Sequence, residues 1–100
     1  MTECELGIIG CGNMAEAICR GVTGGGILTP GAIVASDPSD EQRRRLRDAI
    51  GIGVAKDNVK PARCPRVLLA VKPQVLPGVL DGIAGTVRDD TLVISIAAGT

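Results

Sequence analysis

Phenylalanine, tyrosine and tryptophan are missing from the chain, and so is histidine. Without aromatic rings there is no stacking platform of the kind that holds single-stranded nucleic acid. The core must then be assembled from Leu, Ile, Val, Ala and Met, which suits the aliphatic strands of a parallel sheet buried on both faces. Cys4, Cys11, Cys19 and Cys64 form no C-x-x-C pair, and with no histidine beside them the usual zinc spacings are absent, so no metal site is expected. These cysteines are expected to be small buried thiols in a reducing compartment.

Excess charge is missing as well. Eleven Lys plus Arg offset eleven Asp plus Glu, so nothing argues for a DNA, RNA or membrane surface as partner. No apolar run approaches the roughly 20 residues of a membrane span, and the opening MTECELGIIG has no basic flank of the secretory type. A cytoplasmic location is expected. What is present is ordinary for a globular protein: 45% hydrophobic and 22% charged residues in a chain of 100, the size of one domain.

Short aliphatic runs at Leu6–Ile9, Ala32–Ala35, Val67–Val71 and Leu92–Ile96, with a weaker one at Ile52–Ala55, read as strands. Between them Asn13–Val22, Asp40–Ile50 and Val75–Ile83 have helical character, while Asp57–Cys64 is ambiguous because Pro61 limits any helix there. Turn signals fit these boundaries. TGGGILTPG links the first helix to the second strand, and SDPSD supplies a stop followed by a helix cap. Strands alternating with helices imply right-handed crossovers and an α/β, Rossmann-like, doubly wound parallel sheet with expected strand order 3-2-1-4-5. The sequence stops just after a strand that should lie inside a sheet, with no helix following to cover it. We therefore expect residues 1–100 to be the first domain of something longer.

The chemistry concentrates in Leu6 to Ile18, LGIIGCGNMAEAI, where a strand breaks into Gly-Cys-Gly and resumes at helical spacing. Gly10-Cys11-Gly12-Asn13-Met14-Ala15 matches G-x-G-x-x-A, a dinucleotide fingerprint. Gly10 allows the tight turn, Gly12 lets a pyrophosphate approach without a Cβ in the way, and Ala15 keeps the helix close to the first strand. The N–H groups of Asn13 and Met14 then face the phosphates at the positive end of the helix. The same glycines also suit a plain strand-to-helix turn. Ser36 and Asp37 lie about 25 residues beyond Gly12, near the roughly 20 at which the adenosine ribose is read. A carboxylate at Asp37 can accept from the ribose diol and repels a 2′-phosphate. Arg43, Arg44, Arg45 and Arg47 follow on the next helix; one of them reaching that phosphate is the sharper reading, and a solvated helix face is the weightier one.

With IIGCGNMAEAI, ASDP, DN, LLAVKPQ and VISIAAG in this order, the chain resembles the N-terminal domain of the pyrroline-5-carboxylate reductase family over nearly its whole length. The resemblance implies reduction of 1-pyrroline-5-carboxylate to L-proline with NADP or NAD as cofactor. It implies that Gly10, Cys11, Gly12, Asn13 and Met14 hold the pyrophosphate and that Ser36, Asp37 and Asn58 meet the adenosine ribose. Val71, Lys72 and Pro73 line the nicotinamide ribose side, and Ala97, Ala98 and Gly99 lie near the nicotinamide. No catalytic residue is expected in this chain, because the family's second, helical domain builds the homo-oligomer and supplies most of the substrate pocket. Asp37 departs from members that prefer NADPH, which often carry a neutral group there, so the choice between NAD and NADP stays open. A stand-alone dinucleotide-binding or regulatory module is the alternative. A β-hydroxyacid dehydrogenase or a deazaflavin-linked NADP reductase opens with a similar turn, but Val71–Gln74 and Ala97–Gly99 argue against both.

Overall fold

Each aliphatic run is followed by a segment able to carry the chain back to the end it started from, so successive strands can only pair in parallel. The computed structural model describes residues 4–87 and 90–96. Within them run β1 (Leu6–Ile9), α1 (Asn13–Gly24), a 3-10 turn (Pro30–Ala32), β2 (Ile33–Ser36), α2 (Asp40–Ile50), β3 (Gly53–Ala55), α3 (Val59–Ala62), β4 (Arg66–Leu69), α4 (Leu76–Ile83) and β5 (Leu92–Ser95). The sheet order is β3-β2-β1-β4-β5, as expected, and every pairing is parallel. Boundaries differ by one or two residues. Pro30 starts a 3-10 turn that takes Ala32, so β2 begins at Ile33, and the ambiguous segment before β4 forms the single turn α3.

Register places the carboxyl ends of the central strands level: Ile9 stands beside Ser36 and Leu69, and Leu69 beside Ser95. This rim is where open α/β sheets bind their ligands. Alternation along the strands sends side chains to two separate cores. Ile8, Ile33, Ala35 and Leu68 pack with Ala15 and Cys19 of α1 and Leu46 of α2 on one face. Ile9, Val67 and Leu69 pack with Ala62 of α3 and Ile83 of α4 on the other. Gly7 permits the second layer: a Cβ there would lie 2.0 Å from the carbonyl oxygen of Pro61, so only glycine lets α3 sit against the central strand. Within the described residues β5 is an edge rather than an interior strand, with Leu92 54% and Ile94 45% exposed.

Two of the four cysteines overturn the expectation of free thiols. Cys4 and Cys64 form a disulfide, with Cα atoms 5.5 Å apart. The topology explains it: each stands two residues before the register pair Leu6 and Arg66, so the pairing of β1 with β4 brings them side by side. Cys11 and Cys19 are buried free thiols, as expected. Burial pushes Cys11 up to about 12, with the nearby Asp37 carboxylate adding to the effect, and pushes Cys19 up to about 11.

Candidate functional site

The two glycines of the turn stand in different surroundings. Gly10 has φ +111°, donates its N–H to the carbonyl of Ser36 at 2.7 Å, and would place a Cβ 2.4 Å from the carbonyl oxygen of Ala70. The fold itself therefore demands glycine there. Gly12 is extended, at φ −84° and ψ −164°, and a Cβ on it would meet nothing within 4 Å. The fold makes no demand at Gly12, and its Cβ side is left open to a group that comes close to the backbone. Gly12 is also the N-cap of α1, and no side chain caps this helix. In α2, by contrast, Ser39 accepts from the N–H of Gln42. Asn13 and Met14 are exposed at the open end of α1, while Ala15 is fully buried against the sheet.

Beside the turn, the end of β2 assembles the residues expected to meet a ribose. Ser36 is fully buried and donates its hydroxyl to Oδ1 of Asn58 at 2.6 Å. The Asp37 carboxylate accepts the N–H of Cys11 at 2.9 Å through one oxygen and the N–H of Ser39 at 2.8 Å through the other. Cys11, Ser36, Asp37 and Asn58 thus share one corner. The arginine cluster divides. Arg44 and Arg47, 63% and 52% exposed, pair with Asp40 and Asp48 and form the solvated face. Arg43 donates to the carbonyl of Asp37 at 2.7 Å and to Asp40 at 3.0 Å. Arg45 turns to α1, where it meets the Glu16 carboxylate and the Cys11 carbonyl, the latter at 3.3 Å. Hydrogen bonds from Arg20 and Arg45 hold the Glu16 carboxyl below the usual carboxylate range, and Arg44 does the same for Asp40.

On the other side of the turn, Val71 is half-buried in the second core, its Cγ1 3.4 Å from where a Gly10 Cβ would stand. Lys72 and Pro73 follow in an exposed turn closed by the Val75 N–H donating to the Lys72 carbonyl at 2.9 Å. Ala97, Ala98 and Gly99 lie outside the described residues. Glu16 at this corner was not among the sequence candidates, and Arg43 and Arg45 were so only within the cluster of four; the placement of α2 beside α1 separates them from their neighbours. Among the described residues no three His, Cys, Asp or Glu side chains are grouped to hold a metal ion. An open cavity of about 260 Å³ lined by Arg20, Thr23, Gly24, Ala49 and Ile50 sits at the far ends of α1 and α2, away from the turn.

A rim of this kind is found across α/β folds, and the match to known proteins narrows it. Residues 5–99 fit the family model described as NADP oxidoreductase, coenzyme F420-dependent, a description that takes in the deazaflavin-linked class against which Val71–Gln74 and Ala97–Gly99 argued. The chain belongs to this family. Among curated relatives, pyrroline-5-carboxylate reductase of Escherichia coli (strain K12) is 39% identical over 98 residues, covering 97% of this chain and 36% of that protein. The structure of a pyrroline-5-carboxylate reductase from Coxiella burnetii superimposes with a TM-score of 0.88 at 29% identity, over 98% of this chain and 37% of that one. Plasmodium falciparum pyrroline carboxylate reductase with NADP bound gives a TM-score of 0.78 at 26% identity, over 97% of this chain and 34% of that one. The chain of this family member spans about a third of the length of the relatives it matches.

Proposed function

We propose that the chain is the dinucleotide-binding domain of an NAD(P)H-dependent pyrroline-5-carboxylate reductase, the enzyme that makes L-proline from 1-pyrroline-5-carboxylate. Residues 1–100 form the cofactor domain, and the second domain that completes the substrate pocket and the homo-oligomer lies in the remainder of the enzyme. The observation that carries this reading is the glycine turn: Gly12 is not demanded by the fold, leaves its Cβ side open, and stands at the uncapped start of α1 beside Asp37. A pyrophosphate needs that combination of close approach, free N–H groups and helix field. The names of the relatives favour the imine as substrate, and Val71–Gln74 is among the stretches that carry the resemblance to that family.

When bound, the nicotinamide supplies the hydride that adds to the C=N carbon of the substrate. The part of this chain is to bind and orient. Asn13 and Met14 N–H groups would receive the pyrophosphate, Asp37 and Asn58 would hold the adenosine ribose with the buried Ser36 hydroxyl orienting Asn58, and Val71, Lys72 and Pro73 would line the nicotinamide ribose. Ala97, Ala98 and Gly99, which the family resemblance assigns to the nicotinamide side, lie outside the described residues. A cyclic imine is readily protonated, and the iminium already accepts hydride well, so no strong acid is demanded of this domain. Its residues agree with that: it has no His or Tyr, and the Cys11 thiol is held protonated. A cytoplasmic setting belongs to the same proposal, and the Cys4–Cys64 disulfide stands against it, because such bonds are rare in that reducing compartment; among the described residues no helix is long and apolar enough to cross a membrane.

Calorimetric titration with NADP+, NADPH, NAD+ and NADH tests the reading. The parent chain should bind, and Gly12→Val should lose binding while melting near the parent temperature, since a branched side chain fills the side left open for the pyrophosphate. Equal affinity in the two proteins defeats the assignment.

A further inference from the structure

We propose that Arg45 is a positioning residue for the pyrophosphate, acting through the peptide that joins Cys11 to Gly12. The inference rests on the dinucleotide reading and adds a residue that it does not use. Cys11 stands between two glycines, the residues with the widest backbone freedom, so the turn does not hold its own shape. Both polar backbone groups of Cys11 are instead gripped from the β2–α2 unit. Its N–H donates to Asp37 at 2.9 Å, and its carbonyl accepts from Nη2 of Arg45 at 3.3 Å. A trans peptide is planar, with its carbonyl and the following N–H pointing opposite ways, and no cis peptide occurs among the described residues. Holding the Cys11 carbonyl toward α2 therefore turns the Gly12 N–H away from α2.

Arg45 is itself fixed. Its Nε donates to Oε1 of Gln42 at 3.1 Å and its Nη1 meets the Glu16 carboxylate. One N–H on each of its three nitrogens is engaged by the protein, and the role proposed for the guanidinium is to act on a phosphate through the turn. The Glu16 contact adds a second effect. A carboxylate in the first turn of α1 shares the positive helix end with an incoming phosphate, and Arg45 together with Arg20 offsets its charge. The neighbours on α2 provide the contrast: Arg44 pairs four residues back with Asp40, whereas Arg45 reaches 34 residues back to Cys11.

The test compares the full chain with Arg45→Gln and Arg45→Lys. Binding of the preferred dinucleotide, of ADP-ribose and of adenosine is titrated, and the melting temperature of each ligand-free protein is recorded. Arg45→Gln should weaken the dinucleotide and ADP-ribose by about tenfold, the scale of a lost charge-assisted hydrogen bond, and leave adenosine, which has no pyrophosphate, within about twofold of the parent. Arg45→Lys keeps a cation for Glu16 and loses the fork that reaches Cys11, so it should fall between the two. If Arg45→Gln fails to fold, Arg45→Lys decides: weaker ADP-ribose binding at an unchanged melting temperature supports the proposal, and parental affinity overturns it. Equal losses for adenosine and ADP-ribose overturn it too, because they mark general damage. A parent that binds none of the three refutes the dinucleotide reading itself.

Discussion

Reducing the Cys4–Cys64 bond should destabilise the domain strongly and leave its binding rim untouched. The bond joins residues 60 apart in sequence. Closing a loop of that length in the unfolded chain removes entropy equivalent to about 4 kcal/mol at 25 °C. A domain of this size unfolds with roughly 200 cal/mol/K of entropy, so the midpoint should fall by about 20 °C. The bond lies ahead of β1 and β4, at the opposite end of the strands from Gly10 and Ala70. Dinucleotide affinity measured well below both midpoints should therefore match between oxidised and reduced protein. Circular dichroism is the natural readout, since the chain has no tryptophan or tyrosine to fluoresce. Melts are compared with and without a phosphine reductant and for Cys64→Ser, and mass spectrometry after alkylation counts the free thiols. Midpoints within a few degrees of one another, or alkylation of Cys4 and Cys64 without reductant, would refute the reasoning.

Asp37→Ser should move the affinity ratio toward NADPH by about tenfold, or about 1.4 kcal/mol, by removing one partly exposed charge repulsion. Both cofactors should also bind more weakly, because the N–H groups of Cys11 and Ser39 lose their acceptor; paired titrations that leave the ratio unchanged shift the discrimination elsewhere. Glu16 is held below its ordinary value of 4.5 in the folded chain. Its contribution to stability is complete above that pH and is lost as the pH falls through the lowered value. Melts between pH 6 and 3 should show a shallower acid decline in Glu16→Gln than in the parent, and identical declines would count against the Arg20 and Arg45 contacts. Residues 1–100 alone, saturated with NADPH or NADH, should not oxidise the cofactor measurably when the imine is added. Placing both reactants together accounts for about 7–11 kcal/mol of barrier lowering, and a domain that orients only one forfeits most of it. Turnover comparable to that of the longer enzyme would contradict this.

Fold and turn were legible because both are written in local signals. Four- and five-residue aliphatic runs, a glycine pair and a capping Ser39 specify strands, turn and helix start within a few neighbours, and crossover handedness then orders the sheet. The strand boundaries slipped where one residue belonged to two patterns, as Ala32 did in following Pro30. The disulfide was opaque for a different reason. Cys4 and Cys64 are neighbours only once β1 and β4 pair, and no C-x-x-C spacing records that. Four arginines in five positions look alike in sequence, and only the seating of α2 against α1 turns Arg45 toward Cys11 while Arg44 stays in solvent.

The grip on Cys11 has a bearing on how this domain could be re-engineered. The segment from Ile33 to Ile50 is the one a designer would exchange to switch between the two nicotinamide cofactors, since Ser36 ends its strand and Asp37 follows. That same segment carries Asp37 and Arg45, which hold the glycine turn from both sides. A transplanted β2–α2 unit from a donor without matching partners would change the ribose preference and loosen the pyrophosphate seat in one step. On the proposed site, cofactor choice and cofactor affinity would be inherited together, so a successful graft would have to bring an acceptor for the Cys11 N–H and a donor for its carbonyl along with the new ribose contacts.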